Sequence, residues 1–123
     1  MKALVIPESG PLRDLELPDD DDSHLALLQG AVGGDVEAVP LPLFIPDAAR
    51  ATAYVHALGK FECQPNMRAT DFMLPGVGLF MGDYVAGPMV LCGFNPNTGL
   101  HAELPEPVVA HARLIAREAG TAA

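Results

Sequence analysis

The sequence predicts an α+β domain in which a small, mostly antiparallel sheet is covered by two or three helices. Half of the 123 residues are hydrophobic, enough for one core and too many for a disordered chain. The apolar runs are short, and 12 Gly and 12 Pro punctuate them, which favours turns between brief strands. Helical spacing of apolar residues is clear only near residue 28 and near the C-terminus. Residues 1–123 read as a single domain without internal repeats.

Lys2 to Ile6 reads as a buried strand, and Leu12 to Leu17 partly alternates as a second. Pro7, Gly10 and Pro11 lie between them, so the pair is expected to form a hairpin. Leu25, Leu28 and Val32 fall on one face of a helix that Asp22 or Ser23 caps and Gly33-Gly34 ends. The Asp run before it suits the positive end of the helix dipole. Residues 36–43 contain Pro40 and Pro42, which lack the N–H of a central strand, so this is an edge strand with an extended tail.

Residues 51–58 fit strand or helix; a strand over 53–58 is preferred, turning at Gly59-Lys60 into Phe61-Glu62-Cys63. Asn66 opens a short helix through Met73. Gly82-Asp83 makes a turn before a strand over Tyr84 to Cys92, interrupted at Gly87-Pro88. Asn95 to Gly99 is loop. Glu106 to Ala119 closes the fold as a helix, with Val108, Ala112, Ile115 and Ala119 on its apolar stripe and His111, Arg113, Arg117 and Glu118 away from it.

The charge is lopsided. The net charge is −9, and ten of the sixteen acids lie in the first 47 residues against only Lys2 and Arg13. That balance argues against direct nucleic-acid binding, which needs a basic face, and against docking on an anionic membrane. No apolar run approaches the roughly 20 residues of a membrane helix, and the N-terminal run stops at Pro7, too short for a secretory signal. Cys63 and Cys92 form no CxxC and no disulfide framework, so reduced thiols in a cytoplasmic protein are expected. Asp19, Asp20, Asp21 and Asp22 read plainly as a solvated loop; the sharper reading is an acidic face that meets a basic partner. A DNA mimic would need acids spread at phosphate-like spacing over a long surface, which one tetra-Asp loop is not.

Most catalytic leads fail on spacing. His101-Ala102-Glu103 matches half of a zinc deaminase signature, but no Cys follows residue 92 to complete the metal site. Gly76-Val77-Gly78 would need a glycine where Met81 stands to form a dinucleotide loop. Cys63 could meet His56 across the Gly59-Lys60 turn, with Lys60 lowering the thiol pKa, although two ordinary structural residues explain the pair as well. No metal set and no cofactor motif emerges. One polar constellation does: Tyr54, Lys60, Asn66, Arg68 and Thr70. A helix opened by Asn66 presents free N–H groups, and Arg68 beside them would make an anion site. In the plainer reading Asn66 caps, Thr70 bonds backbone and Arg68 pairs with Asp71 or another acid.

Several segments together resemble a known family. They are Met1 to Pro7, Gly34 to Val39, Tyr54-Val55, Gly59-Lys60, Pro65-Asn66-Met67-Arg68-Ala69-Thr70, and Gly82-Asp83-Tyr84-Val85-Ala86-Gly87-Pro88-Met89-Val90. The pattern is similar to domain-of-unknown-function family 3846, found in high-GC Gram-positive bacteria, their phages and plasmids. The likeness covers about residues 1–95, and Asn-x-Arg-Ala-Thr and Gly-Asp-x-x-x-Gly-Pro are its most specific parts. It implies a small accessory protein of mobile elements and brings no assigned catalytic residue.

The function expected from all this is protein binding by a small acidic cytoplasmic protein, with a host or mobile-element protein as partner. Met67, Phe72, Met73, Phe80 and Met81 offer a contact or homodimer surface where they are exposed, and ordinary core where they are not. The alternatives are a protein or enzyme that binds a small anion at Asn66, Arg68 and Thr70, and a DNA-mimic inhibitor.

Overall fold

The computed structural model describes residues 1–73 and 84–118. Among these, six strands form one antiparallel sheet: β1 (Lys2–Ile6), β2 (Arg13–Glu16), β3 (Val36–Pro40), β4 (Ala51–His56), β5 (Met89–Asn95) and β6 (Leu100–Ala102). The order is β2-β1-β5-β4-β3. Gly93 of β5 faces both Ala51 and Ala102, so β6 continues the line of β1 along the same side of β5. Four α-helices accompany the sheet: α1 (His24–Val32), α2 (Gly59–Glu62), α3 (Met67–Met73) and α4 (Glu106–Glu118). The α+β expectation holds, with two of the helices short.

β1 and β5 are buried over nearly their whole length because both sheet faces are covered. On one face Leu4, Ile6, Ala53 and Leu91 pack under α3 and α4, with Phe72, Met73, Val108 and Ala112. On the other, Ala3, Val5, Val90 and Cys92 pack under Leu28 and Val32 of α1. Alternate residues of one strand thus feed two cores, which is why these strands read as continuous apolar runs rather than alternating ones.

The hairpin of β1 and β2, the α1 stop at Gly33 (φ 89°) and the edge position of β3 follow the sequence reading. Other expectations need correction. The buried face of α1 is His24, Leu28 and Val32, and Leu25 is exposed. The helix starts after a 3-10 turn over Asp21–Ser23, and Ser23 makes no side-chain cap; the Asp20 carboxylate instead accepts the Asp22 N–H at 3.0 Å. Residues 57 and 58 leave the sheet, since the Leu58 N–H turns back onto His56 Nδ1 at 3.0 Å. Gly59 to Glu62 is a helical turn, not a passage into strand. A Cβ at Gly59 would lie 2.6 Å from the Ala86 carbonyl oxygen, so glycine lets this turn seat against the neighbouring backbone.

β5 begins at Met89, later than expected, because Gly87 (φ 83°) and Pro88 bend the chain; the preceding stretch makes an isolated Pro65–Ala86 bridge in place of strand pairing. The Asn95–Gly99 loop is a hairpin turn into β6, a strand too short to show in the sequence. His111 is not turned away from the core: its ring packs on Phe72 at 5.2 Å between centroids and on Phe44 at 5.7 Å. The expected Gly82-Asp83 turn and the last stripe residue, Ala119, lie outside the described residues. No helix among the described residues is long and apolar enough to cross a membrane.

Candidate functional site

Asn66, Arg68 and Thr70 do come together, at the start of α3, and their polar atoms are engaged inside the protein except Arg68 Nε, which is buried without a hydrogen-bond partner among the described residues. Asn66 is fully buried. Its Oδ1 accepts the Ala69 N–H at 3.0 Å, the expected cap, while Nδ2 donates to the carbonyls of Ile6 (2.8 Å) and Gly87 (2.9 Å). Arg68, only 3% exposed, donates to the Pro7 and Gly10 carbonyls in the β1–β2 turn. Thr70 Oγ1 donates to the Asn66 carbonyl and accepts the Val85 N–H, both at 2.8 Å. Burial pulls the Arg68 guanidinium below its ordinary pKa, and two carbonyl acceptors replace the water it leaves. The segment therefore works as a clamp, tying the hairpin turn to the entrance of β5. Neither Asp71 nor another acid pairs with Arg68 among the described contacts.

Tyr54 lies apart from these residues, on the opposite face of the sheet beside α1. There it belongs to a hydrogen-bonded row: Tyr54 Oη to His101 Nε2 (2.7 Å), His101 Nδ1 to His24 Nδ1 (2.8 Å), and His24 Nε2 to the Pro18 carbonyl (2.5 Å). The His ring centroids are 5.0 Å apart, consistent with rings meeting nitrogen to nitrogen, edge to edge. The Pro18 oxygen can only accept, so His24 Nε2 carries a proton. With both rings neutral, His24 Nδ1 accepts from His101 Nδ1–H, and His101 Nε2 accepts from the Tyr54 hydroxyl. Burial, reinforced by Cys92, raises the Tyr54 pKa and keeps that hydroxyl a donor. The row pins the start of α1 to β4 and β6.

Lys60 stands elsewhere again, in α2, on the rim of a groove of about 460 Å³ floored by Val39, Val55 and Met89. Its ammonium lies 5.2 Å from the Tyr84 ring centre, within cation–π range. Leu58 and Phe61 flank it; Phe61 is 88% exposed. His56 lines the same groove, with Nε2 3.3 Å from the Glu62 carboxylate. Since His56 Nδ1 accepts the Leu58 N–H, its neutral form carries the remaining proton on Nε2 and has no acceptor to spare for a thiol. Cys63 is held up in pKa by burial and then by Glu8 and Glu62, the reverse of an activated nucleophile. The groove is lined by apolar surface with one cation, Lys60, one carboxylate, Glu37, and His56.

Among the five constellation residues, then, only Asn66, Arg68 and Thr70 are neighbours. Asp19, Asp20 and Asp22 are exposed at the His24 end of α1, whereas β3 and the groove follow its other end, about 13 Å along the helix. Among the described residues no three His, Cys, Asp or Glu side chains are placed to hold a metal. Of the proposed contact residues, Met67 is exposed and Phe72 and Met73 are core; Phe80 and Met81 lie outside the described residues.

The model for a domain of unknown function, DUF3846, matches residues 1–116. The chain belongs to the DUF3846 family. No curated protein and no solved structure matches it. The two segments most specific to the DUF3846 likeness meet in space: Asn66 of the first hydrogen-bonds Gly87 of the second, and Thr70 holds Val85. Those signature residues of this DUF3846 chain maintain its fold. The groove was missed because its lining comes from four separated stretches, β3, the end of β4 running into α2, Met73, and Tyr84 to Met89; the apolar pair Leu58 and Phe61 around Lys60 was its one local signal.

Proposed function

We propose that this DUF3846 protein is a protein-binding module whose contact surface is the groove beside β3. The observation that carries the reading is Phe61, a large aromatic side chain 88% exposed at the groove rim next to exposed Leu58. Aromatic anchors beside a concavity are the usual centre of a binding surface. The occupant proposed is a basic segment of another protein, because β3 and its approach carry Asp35 and Glu37, within the acidic first 47 residues. The same charge opposes a second copy of the chain. The accessory role in a mobile element and the cytoplasmic setting are parts of this proposal.

Capture followed by reconstitution tests it. One stoichiometric partner is identified from host lysate, purified, and titrated against wild type and Phe61→Ser by calorimetry. Affinity at least tenfold weaker for Phe61→Ser, and falling with salt for wild type, is the expected result. Equal affinity for both proteins would remove the groove from the interface.

A further inference from the structure

We propose that β3 accepts a seventh strand, an extended basic segment of the partner that adds to the sheet edge; this rests on the protein-binding reading above. β3 ends the sheet, and no strand pairs with its outer side among the described residues. The Ala57 N–H donates to the Asp35 carbonyl at 2.8 Å, so in the β3–β4 register Glu37 and Val39 also bond inward. Val36, Ala38 and Pro40 must then face outward. Pro40 checks this: a proline without an N–H belongs at an outward position of an edge strand. The outward side therefore presents the N–H groups of Val36 and Ala38 and the carbonyls of Val36, Ala38 and Pro40, which no strand among the described residues pairs.

Two grooves border this one strand. The first, already described, lies on the α3–α4 face and includes Glu37 and Val39 in its lining. The second, about 400 Å³, extends onto the α1 face, where Ala38, Leu43, Thr52 and Tyr54 line it. Side chains of an added strand alternate between faces, so they would enter the two grooves in turn. Main-chain pairing with pockets for alternate side chains is the geometry of strand addition. Glu37 selects a cation on the first face; the second groove takes an apolar side chain. Self-pairing would set Asp35 and Glu37 against their own copies, which protects the edge from aggregation.

The test uses the full chain and an acetylated, amidated octapeptide of four Lys-Val repeats. Amide exchange is followed by NMR, and a second peptide carries N-methyl groups at every other residue on the pairing edge. The expected result is binding that slows exchange at Val36 and Ala38 at least tenfold, abolished by N-methylation and weakened at least tenfold by Ala38→Pro. Binding without slowed exchange at Val36 and Ala38, equal binding of the methylated peptide, or no binding of either peptide would overturn strand addition. If partner affinity still drops for Phe61→Ser, the docking surface stands while its mode falls. If that drop is absent too, the protein-binding reading itself falls.

Discussion

The side-chain amide of Asn66 joins the end of β1 to the entrance of β5, donating to the carbonyls of Ile6 and Gly87 from a fully buried position. Two chain segments more than 80 residues apart thus share one donor group. Asn66→Ala leaves both carbonyls without that donor and uncaps α3, and is expected to cost on the order of 3 kcal/mol in urea denaturation. A loss below 1 kcal/mol would mean the bridge carries little of the fold.

Arg68→Ala should destabilise by about 2 to 4 kcal/mol, because two buried charge-assisted bonds to Pro7 and Gly10 disappear. Arg68→Lys keeps the charge but lacks the fork that reaches both carbonyls, so it falls between. Inorganic phosphate should leave the wild-type melting temperature unchanged. Protection by phosphate that vanishes in Arg68→Ala would instead restore the anion site.

Tyr54→Phe should cost about 1 to 2 kcal/mol by leaving His101 Nε2 without its donor. In a double-mutant cycle with His24→Ala the losses should not add, since both act through His101. Strict additivity would show that the row is three independent contacts.

Burial pushes the Cys92 thiol from its ordinary 9.0 up to about 12. A raised thiol pKa favours the folded state fully below pH 9, and that contribution is lost as the pH climbs to 12. The upper bound is about 4 kcal/mol for three pH units. Denaturation at pH 8 and pH 11 should therefore show a larger loss for wild type than for Cys92→Ala. Equal losses would place the thiolate in water.

The legibility of the sequence followed physical range. β1, the α1 stop at Gly33, the Asn66 cap and the α4 stripe rest on local chemistry and were readable. The role of Arg68 was not, since its acceptors at Pro7 and Gly10 come from a distant turn. Leu25 and His24 exchanged roles for a similar reason: a histidine takes the core face only because Pro18 and His101 wait there. β6 was hidden by its length and by His101, whose polarity suggested chemistry. The groove beside β3 is assembled from distant stretches, so spacing along the chain could not reveal it.

Amide exchange at Val36 and Ala38, measured in the full chain with and without its reconstituted partner, tests the central claim most directly. Slowing confined to β3 and the residues around Leu58 and Phe61 is the predicted outcome. Slowing at Asp19, Asp20 and Asp22 with β3 unchanged would contradict it and move the interface to the far end of α1.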